Sequence, residues 1–378
     1  AAGALAVMAF ALAASCAPAN PSNVGAEQGD SLYIGVAAAV TTATSPYFDG
    51  VSLAVDRLNA ERPSGSRPFA IRRPPSEQST QVAVAASFRD DPSVIGVVGH
   101  TGSAQTLEAA PVYGDVEGGG RRAVVAISPT ATNPRATRTS EWVFRVCPTD
   151  ADGATRLAHF ASDSLGSRHV AVLYRNDLFG RGFVRVFAEA LGAGSSGDTA
   201  GAVVIDRYPY LAGITEYEAY AADIAARGAS VVVIAGGGED ATNIVRAIRR
   251  AGAAPAFLGT DDVAGLGTGP DAGEFRGLRY ITFFLAGEAS AGAPANFVDD
   301  YRRRYGRLPD HRAALSYDAA TLIGRAALAV GSNRRRIRDW VANVGRDAAP
   351  FEGITGQVRF DEWGDPSGKP VLLGEVRP

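Results

Sequence analysis

VIGVVGHTGSAQTLEAAPVYGD, residues 94–115, is an apolar run that stops at a glycine and turns at once into a helical pattern. Val94 to Val98 is apolar at every position or nearly so, which suits a strand covered on both faces rather than one half-exposed to water. Gly99-His100-Thr101-Gly102 breaks the run, and Ser103 to Tyr113 predicts a helix. The same unit recurs on either side. Strands are predicted at Leu32–Ala37, Arg122–Ile127, Val170–Tyr174, Ala202–Asp206, Val231–Ala235, Ala256–Leu258 and Leu278–Phe284. Helices are predicted between them at Tyr47–Asn59, Thr80–Phe88, Asp152–Ser164, Phe179–Leu191, Tyr217–Arg227 and Asp240–Arg250. Alternation of this kind gives an α/β fold with parallel sheets flanked by helices.

So many strands would make one sheet unusually wide, and two smaller sheets are the natural arrangement. After Phe284 the pattern becomes helical, at Pro294–Tyr305, His311–Val330 and Arg334–Val344, before a closing segment Gly356–Phe360 and an acidic turn Asp361–Asp365. This order predicts two Rossmann-like lobes joined by a three-crossing hinge. Lobe 1 is expected from 31–145 plus 285–353, and lobe 2 from 149–280 plus 358–378. The crossings are expected near 145–149, 281–285 and 353–358.

The chain has 378 residues, enough for two cores, with 46% hydrophobic and 20% charged residues and a net charge of −3. No global basic field points to nucleic acid. Ala1–Ala14 is small and apolar and ends in Ser15-Cys16, like the h-region and cleavage site of a secretory signal. Cysteine after three small residues resembles the lipobox of bacterial lipoproteins, which implies a lipid anchor at Cys16 and a flexible tether over 17–30. No other segment approaches the ~20 apolar residues of a membrane span. The expected location is therefore periplasmic or cell-surface, with the membrane reached through the anchor alone. Cys147 reads as a small buried hydrophobe, and Arg334-Arg335-Arg336 as a solvated helix face.

The break at 99–103 offers unpaired backbone N–H groups, the positive end of a helix dipole and a hydroxyl, a combination that suits a carboxylate. Ser103 capping its own helix explains the same residues equally well. The next strand ends in a second polar loop, Ser128-Pro129-Thr130-Ala131-Thr132-Asn133-Pro134. Ligands of open α/β sheets bind beyond the carboxyl ends of strands, so two such loops side by side predict a site. A rival motif is Gly236-Gly237-Gly238-Glu239-Asp240-Ala241, which fits G-x-G-x-x-A after a strand, with Asp261 further on, as in dinucleotide-dependent oxidoreductases. Its place in the middle of an exported chain argues against it. No nucleophile elbow, zinc motif or P-loop is present, and the four histidines lack metal-ligand spacing. His100 reads as a loop hydrogen-bonder.

The order IGVAAAVTT…YFDGVSLAVDRLN, VIGVVGHTGSAQT, ISPTATNP, FRVCPTD, VAVLYRNDLFGRG, FLGTDDV and VRFDEWGD resembles the type I periplasmic binding proteins, nearest the leucine/isoleucine/valine-binding family of ABC transporters. The resemblance runs from about Leu32 to Val376. It implies that Ser103 and Thr132 hold a ligand's α-carboxylate, that backbone near Thr130 and the Asp261 carboxylate hold its α-amine, and that Tyr47 closes over it. Phe179 stands where the family often has tyrosine, and Gly238 where it has an aromatic. It further implies a monomer that catalyses nothing, needs no cofactor or metal, captures an amino acid by hinge closure and delivers it to an ABC permease. The same fold also serves as the sensing module of receptors and regulators.

Overall fold

The computed structural model describes residues 29–38, 45–74, 80–193, 203–267 and 271–377. The expected signal segment, Cys16 and nearly all of the tether lie outside them. Two sheets carry the chain. The first has five strands in the order β2-β1-β3-β4-β5: β1 Leu32–Ala37, β2 Phe69–Arg72, β3 Val94–Gly99, β4 Ala126–Ser128 and β5 Val143–Arg145. Every pairing in it is parallel. The second has six strands in the order β13-β10-β9-β8-β6-β7: β6 His169–Arg175, β7 Val204–Tyr210, β8 Val231–Ala235, β9 Ala256–Gly259, β10 Arg279–Thr282 and β13 Leu372–Glu375. Only β13 on β10 is antiparallel. A small hairpin joins β11 Phe351–Gly353 to β12 Gly356–Val358.

Burial on both faces explains the apolar runs. β3 and β8 are buried at every residue. Ile34, Ile95, Val98 and Ile127 belong to one core, with Leu315, Leu322 and Ile323 of the long helix His311–Val330 packed on them. Ala171, Leu173, Val232 and Ile234 face a second core, while Val170, Val172, Val231 and Val233 face a third on the other side of the same sheet. The architecture is α/β, with parallel sheets flanked by helices, as the alternation predicts.

Three local differences have physical causes. β2 and β5 are not foreseen because each is three or four residues long, sits at a sheet edge and has mixed composition. The segment after β12 stays with the first lobe longer than expected. Val358 and Phe360 lie in the first core, and Asp365 faces Arg145, so the chain joins the second sheet only at Leu372. Arg334 is not part of a solvated face. It is fully buried and donates to the carbonyls of Phe88, Arg89, Asp91, Val94 and Arg122, whereas Arg335 and Arg336 are exposed.

Arg72 and Arg73 also acquire a role. Their guanidinium carbons lie 3.9 Å from the ring centres of Tyr33 and Phe48, respectively. They serve as cation–π lids on the first lobe.

Candidate functional site

The carboxyl ends of β3 and β4 face those of β6 and β9 across a cleft of about 440 Å³. One wall is Tyr47, Thr101–Gln105, Thr130, Thr132 and Arg312; the other is Arg175, Asp177–Phe179, Ala212, Asp261 and Asp262. A larger cavity of about 650 Å³ lies among the helices Pro46–Glu61, Gly292–Tyr305 and His311–Val330, away from the strand ends.

On the first wall, the helix Ser103–Tyr113 starts after Gly102 in extended backbone, with no side-chain cap among the described residues. Its first N–H groups therefore lack the usual side-chain acceptor and open on the cleft, where its dipole favours negative charge. Ser103 is the first helical residue and does not cap its own helix. Its hydroxyl accepts the Asn133 N–H at 3.2 Å and so ties the two polar loops together. Thr130 donates to the Thr101 carbonyl at 2.6 Å and meets the Tyr47 hydroxyl at 3.2 Å. Ser128 donates to the His100 carbonyl and accepts the Ala131 N–H. Below the loop the buried Arg145 donates to the carbonyls of Ala131 and Asn133 at 3.0 and 2.8 Å, and its other arm lies 2.6 Å from Asp365. The hydroxyls are thus placed by a fixed scaffold rather than by a free loop.

His100 is buried between Gln81 at 2.7 Å and the Tyr113 hydroxyl at 2.9 Å. Burial pushes its pKa down to about 4, so it is neutral and structural.

The opposite wall is acidic. Asp261 begins a turn just past β9 and is buried. Burial and the adjacent Asp262 raise its pKa well above the ordinary carboxylate range. Asp150 lies behind Thr132, whose carbonyl accepts the Asp150 N–H at 2.9 Å. Among the described residues its carboxylate oxygens have no hydrogen bond of good geometry, and burial pushes its pKa up to about 7. Asp177 accepts the Gly180 N–H and pairs with Arg175, while Phe179 presents a ring without a hydroxyl.

The structure brings Tyr47, Ser103, Thr130, Thr132, Phe179 and Asp261 to one cleft. Gly238 is not among the cleft-lining residues. A Cβ placed on it would meet the Asp262 carbonyl at 3.6 Å and Leu266 at 3.9 Å, so it sits behind the acidic turn. The glycine motif around it serves packing. A Cβ on Gly236 would fall 1.7 Å from the Tyr210 hydroxyl, and Asp240 accepts both the Gly237 N–H and the Tyr210 hydroxyl. A helix start already holding two acids in its first turn, Glu239 and Asp240, repels a pyrophosphate.

Arg312 and Asp262 are cleft residues that sequence reasoning missed. One signal existed: Asp310 caps the helix that begins at His311, which puts Arg312 in its first turn, where a cation opposes the dipole. Among the described residues, no group of His, Cys, Asp and Glu is arranged to hold a metal ion, and no helix is long and apolar enough to cross a membrane.

Two parallel sheets facing each other across a polar cleft define a type I solute-binding protein. The periplasmic binding protein family model matches residues 31–376, and the chain belongs to that family. Within it, the chain is 25% identical over 348 residues to the amino acid binding protein of Pseudomonas aeruginosa, covering 88% of this chain and 87% of that one. It is 26% identical over 304 residues to Leu/Ile/Val-binding protein homolog 1 of Brucella abortus, covering 77% and 74%. The ABC transporter substrate-binding protein from Desulfitobacterium hafniense in complex with Leu superposes with a TM-score of 0.77 at 25% identity, over 92% of this chain and 98% of that one.

Proposed function

We propose that this protein captures an amino acid, branched-chain or related, by closing its lobes and delivers it to an ABC permease from a lipid anchor at Cys16. One observation carries the reading. The cleft sets an uncapped helix end with the Ser103, Thr130 and Thr132 hydroxyls on one wall against the buried Asp261 on the other. That is a place for the carboxylate and the ammonium of one zwitterion. Ligand docks first on the hydroxyl wall; the acidic wall then swings in and expels water, which strengthens each charged contact. The relatives named for amino acids support the ligand class. The hinge is expected where the chain passes between lobes, near 145–149 and 281–285 and, for the third passage, between Asp365 and Leu372.

The test is thermal unfolding of the chain across a panel of amino acids. A ligand at a hundred times its dissociation constant adds about 2.7 kcal/mol. Thr132→Ala and Asp261→Ala should abolish the rise in midpoint. If no amino acid shifts the wild-type midpoint, the reading fails.

A further inference from the structure

The α-carboxylate and α-ammonium partners leave part of the cleft unassigned, and that part is not apolar. Arg312 comes from the first lobe and Asp262 from the second, and Nη2 of one lies 3.6 Å from Oδ1 of the other across the cleft. The Arg312 side chain is 21% exposed. Its one hydrogen bond among the described residues is a long contact of 3.4 Å to Asp310. A guanidinium has five N–H donors in a rigid fork, so most of its capacity faces the cleft. The Asp262 side chain stands 47% exposed beside it, with Arg312 its nearest cationic partner among the described residues. A donor set and an acceptor set therefore lie side by side, each incompletely used.

We infer that the ligand is an amino acid with a carboxamide or ureido side chain, its oxygen accepting from Arg312 and its N–H donating to Asp262. This rests on the amino-acid reading above and narrows it. An aliphatic side chain in the same place would strip water from Arg312 and Asp262 and return no hydrogen bond, which makes the unmet groups costly. A side-chain carboxylate could accept from Arg312 but would lie against Asp262, and a cationic side chain could pair with Asp262 but would lie against Arg312, since the two are 3.6 Å apart. A neutral group that both accepts and donates avoids both conflicts. Ala104, Leu178 and Phe179 line the same cleft and can cover its methylenes.

Sites built to hydrogen-bond a polar group reject analogues that lack it far more strongly than apolar pockets reject a missing methylene. Calorimetric titration of the full chain with L-glutamine, L-asparagine, L-citrulline, L-leucine, L-valine, L-glutamate and L-arginine tests the inference. The best amide or ureido ligand should bind about 100-fold tighter than leucine. Arg312→Leu should narrow that ratio below about tenfold, and Asp262→Ala should narrow it too, by weakening the amide ligand more than leucine. Asp262 is exposed enough that its variant keeps the test usable if Arg312→Leu does not fold. Leucine, valine, glutamate or arginine binding as tightly as the amides, or a ratio unmoved in both variants, would overturn the inference while leaving the amino-acid reading in place. Binding of none of these ligands would remove both.

Discussion

His311 Nε2 lies 3.7 Å from Asp261 Oδ2, an imidazole of the first lobe facing a carboxylate of the second with both side chains buried. The separation is too long for a hydrogen bond, and Nε2 has no hydrogen-bond partner among the described residues. Burial and Asp262 push the acid's pKa up, while burial and Arg312 push the imidazole's down. These surroundings favour the uncharged form of each. An ammonium group brought against Asp261 reverses the preference of the acid and expels its proton. Affinity for an amino acid should fall as pH drops from 8 to 5, by up to about tenfold per unit for one linked proton. Beside the uncharged His311, the charged groups acting on Asp261 include Asp262, Arg312 and Asp150. Calorimetry in buffers of different ionisation enthalpy reads the released proton directly; a heat independent of buffer would contradict the coupling.

Asp150 makes a separate prediction about stability. Its pKa is pushed up by burial to about 7 in the folded chain, against about 3.9 when unfolded. A raised pKa means the folded state holds the proton more tightly. The stabilisation is fully present below the unfolded value and is lost as pH rises through about 7. Asp150→Asn should therefore match the wild type near pH 4 and exceed it at pH 8, by on the order of 2–4 kcal/mol at 1.36 kcal/mol per pH unit. Denaturant titrations at both pH values check this, and an advantage that does not grow with pH counts against it.

Arg334 makes the sharpest contrast within a run of three identical residues. It gathers carbonyls from the end of the helix Gln81–Asp90, from the loop before β3, from β3 and from the segment before β4. Arg334→Met should cost about 3 kcal/mol or more, because several buried carbonyls lose their donor together. Arg335→Ala, on the exposed face, should stay within about 0.5 kcal/mol. Equal losses from the two would mean that the buried network contributes little.

These residues also mark how far the sequence could be read. β3 and β8 were legible because burial on both faces leaves uninterrupted apolar runs. β2 and β5 were not, since edge strands of three or four residues carry no period to detect. The two hydroxyl loops could be placed because each follows a recognisable strand end. For Ser103 the sequence fits a helix cap and a carboxylate partner equally well, and only the Asn133 N–H on its oxygen excludes the cap. Gly236–Ala241 matched a nucleotide motif because a tyrosine hydroxyl and a phosphate both demand the absence of a Cβ. Arg312 and Arg334 look like surface cations in sequence, and only long-range packing shows one at the cleft and the other in the interior.

Gly50 links that packing to the site. It lies in the helix Pro46–Glu61, one turn after Tyr47, and a Cβ there would come 2.0 Å from the Ala313 carbonyl oxygen of the helix His311–Val330. The obstacle is backbone, so no side chain can rotate away, and the two helices must part. Alanine would favour the helix by about 1 kcal/mol over glycine. The overpacking it causes costs typically about 1–3 kcal/mol and outweighs that gain. Gly50→Ala should therefore lower stability and also weaken ligand binding, since Tyr47 and Arg312 ride on the two helices being separated. Gly192, in the helix Leu178–Ala193, supplies the control, because a Cβ added there would meet nothing within 4 Å. Gly192→Ala should stabilise by about 0.5–1 kcal/mol and leave binding alone. Thermal unfolding and ligand titration of the two variants decide the matter: if Gly50→Ala behaves like Gly192→Ala, the helix contact does not set the cleft.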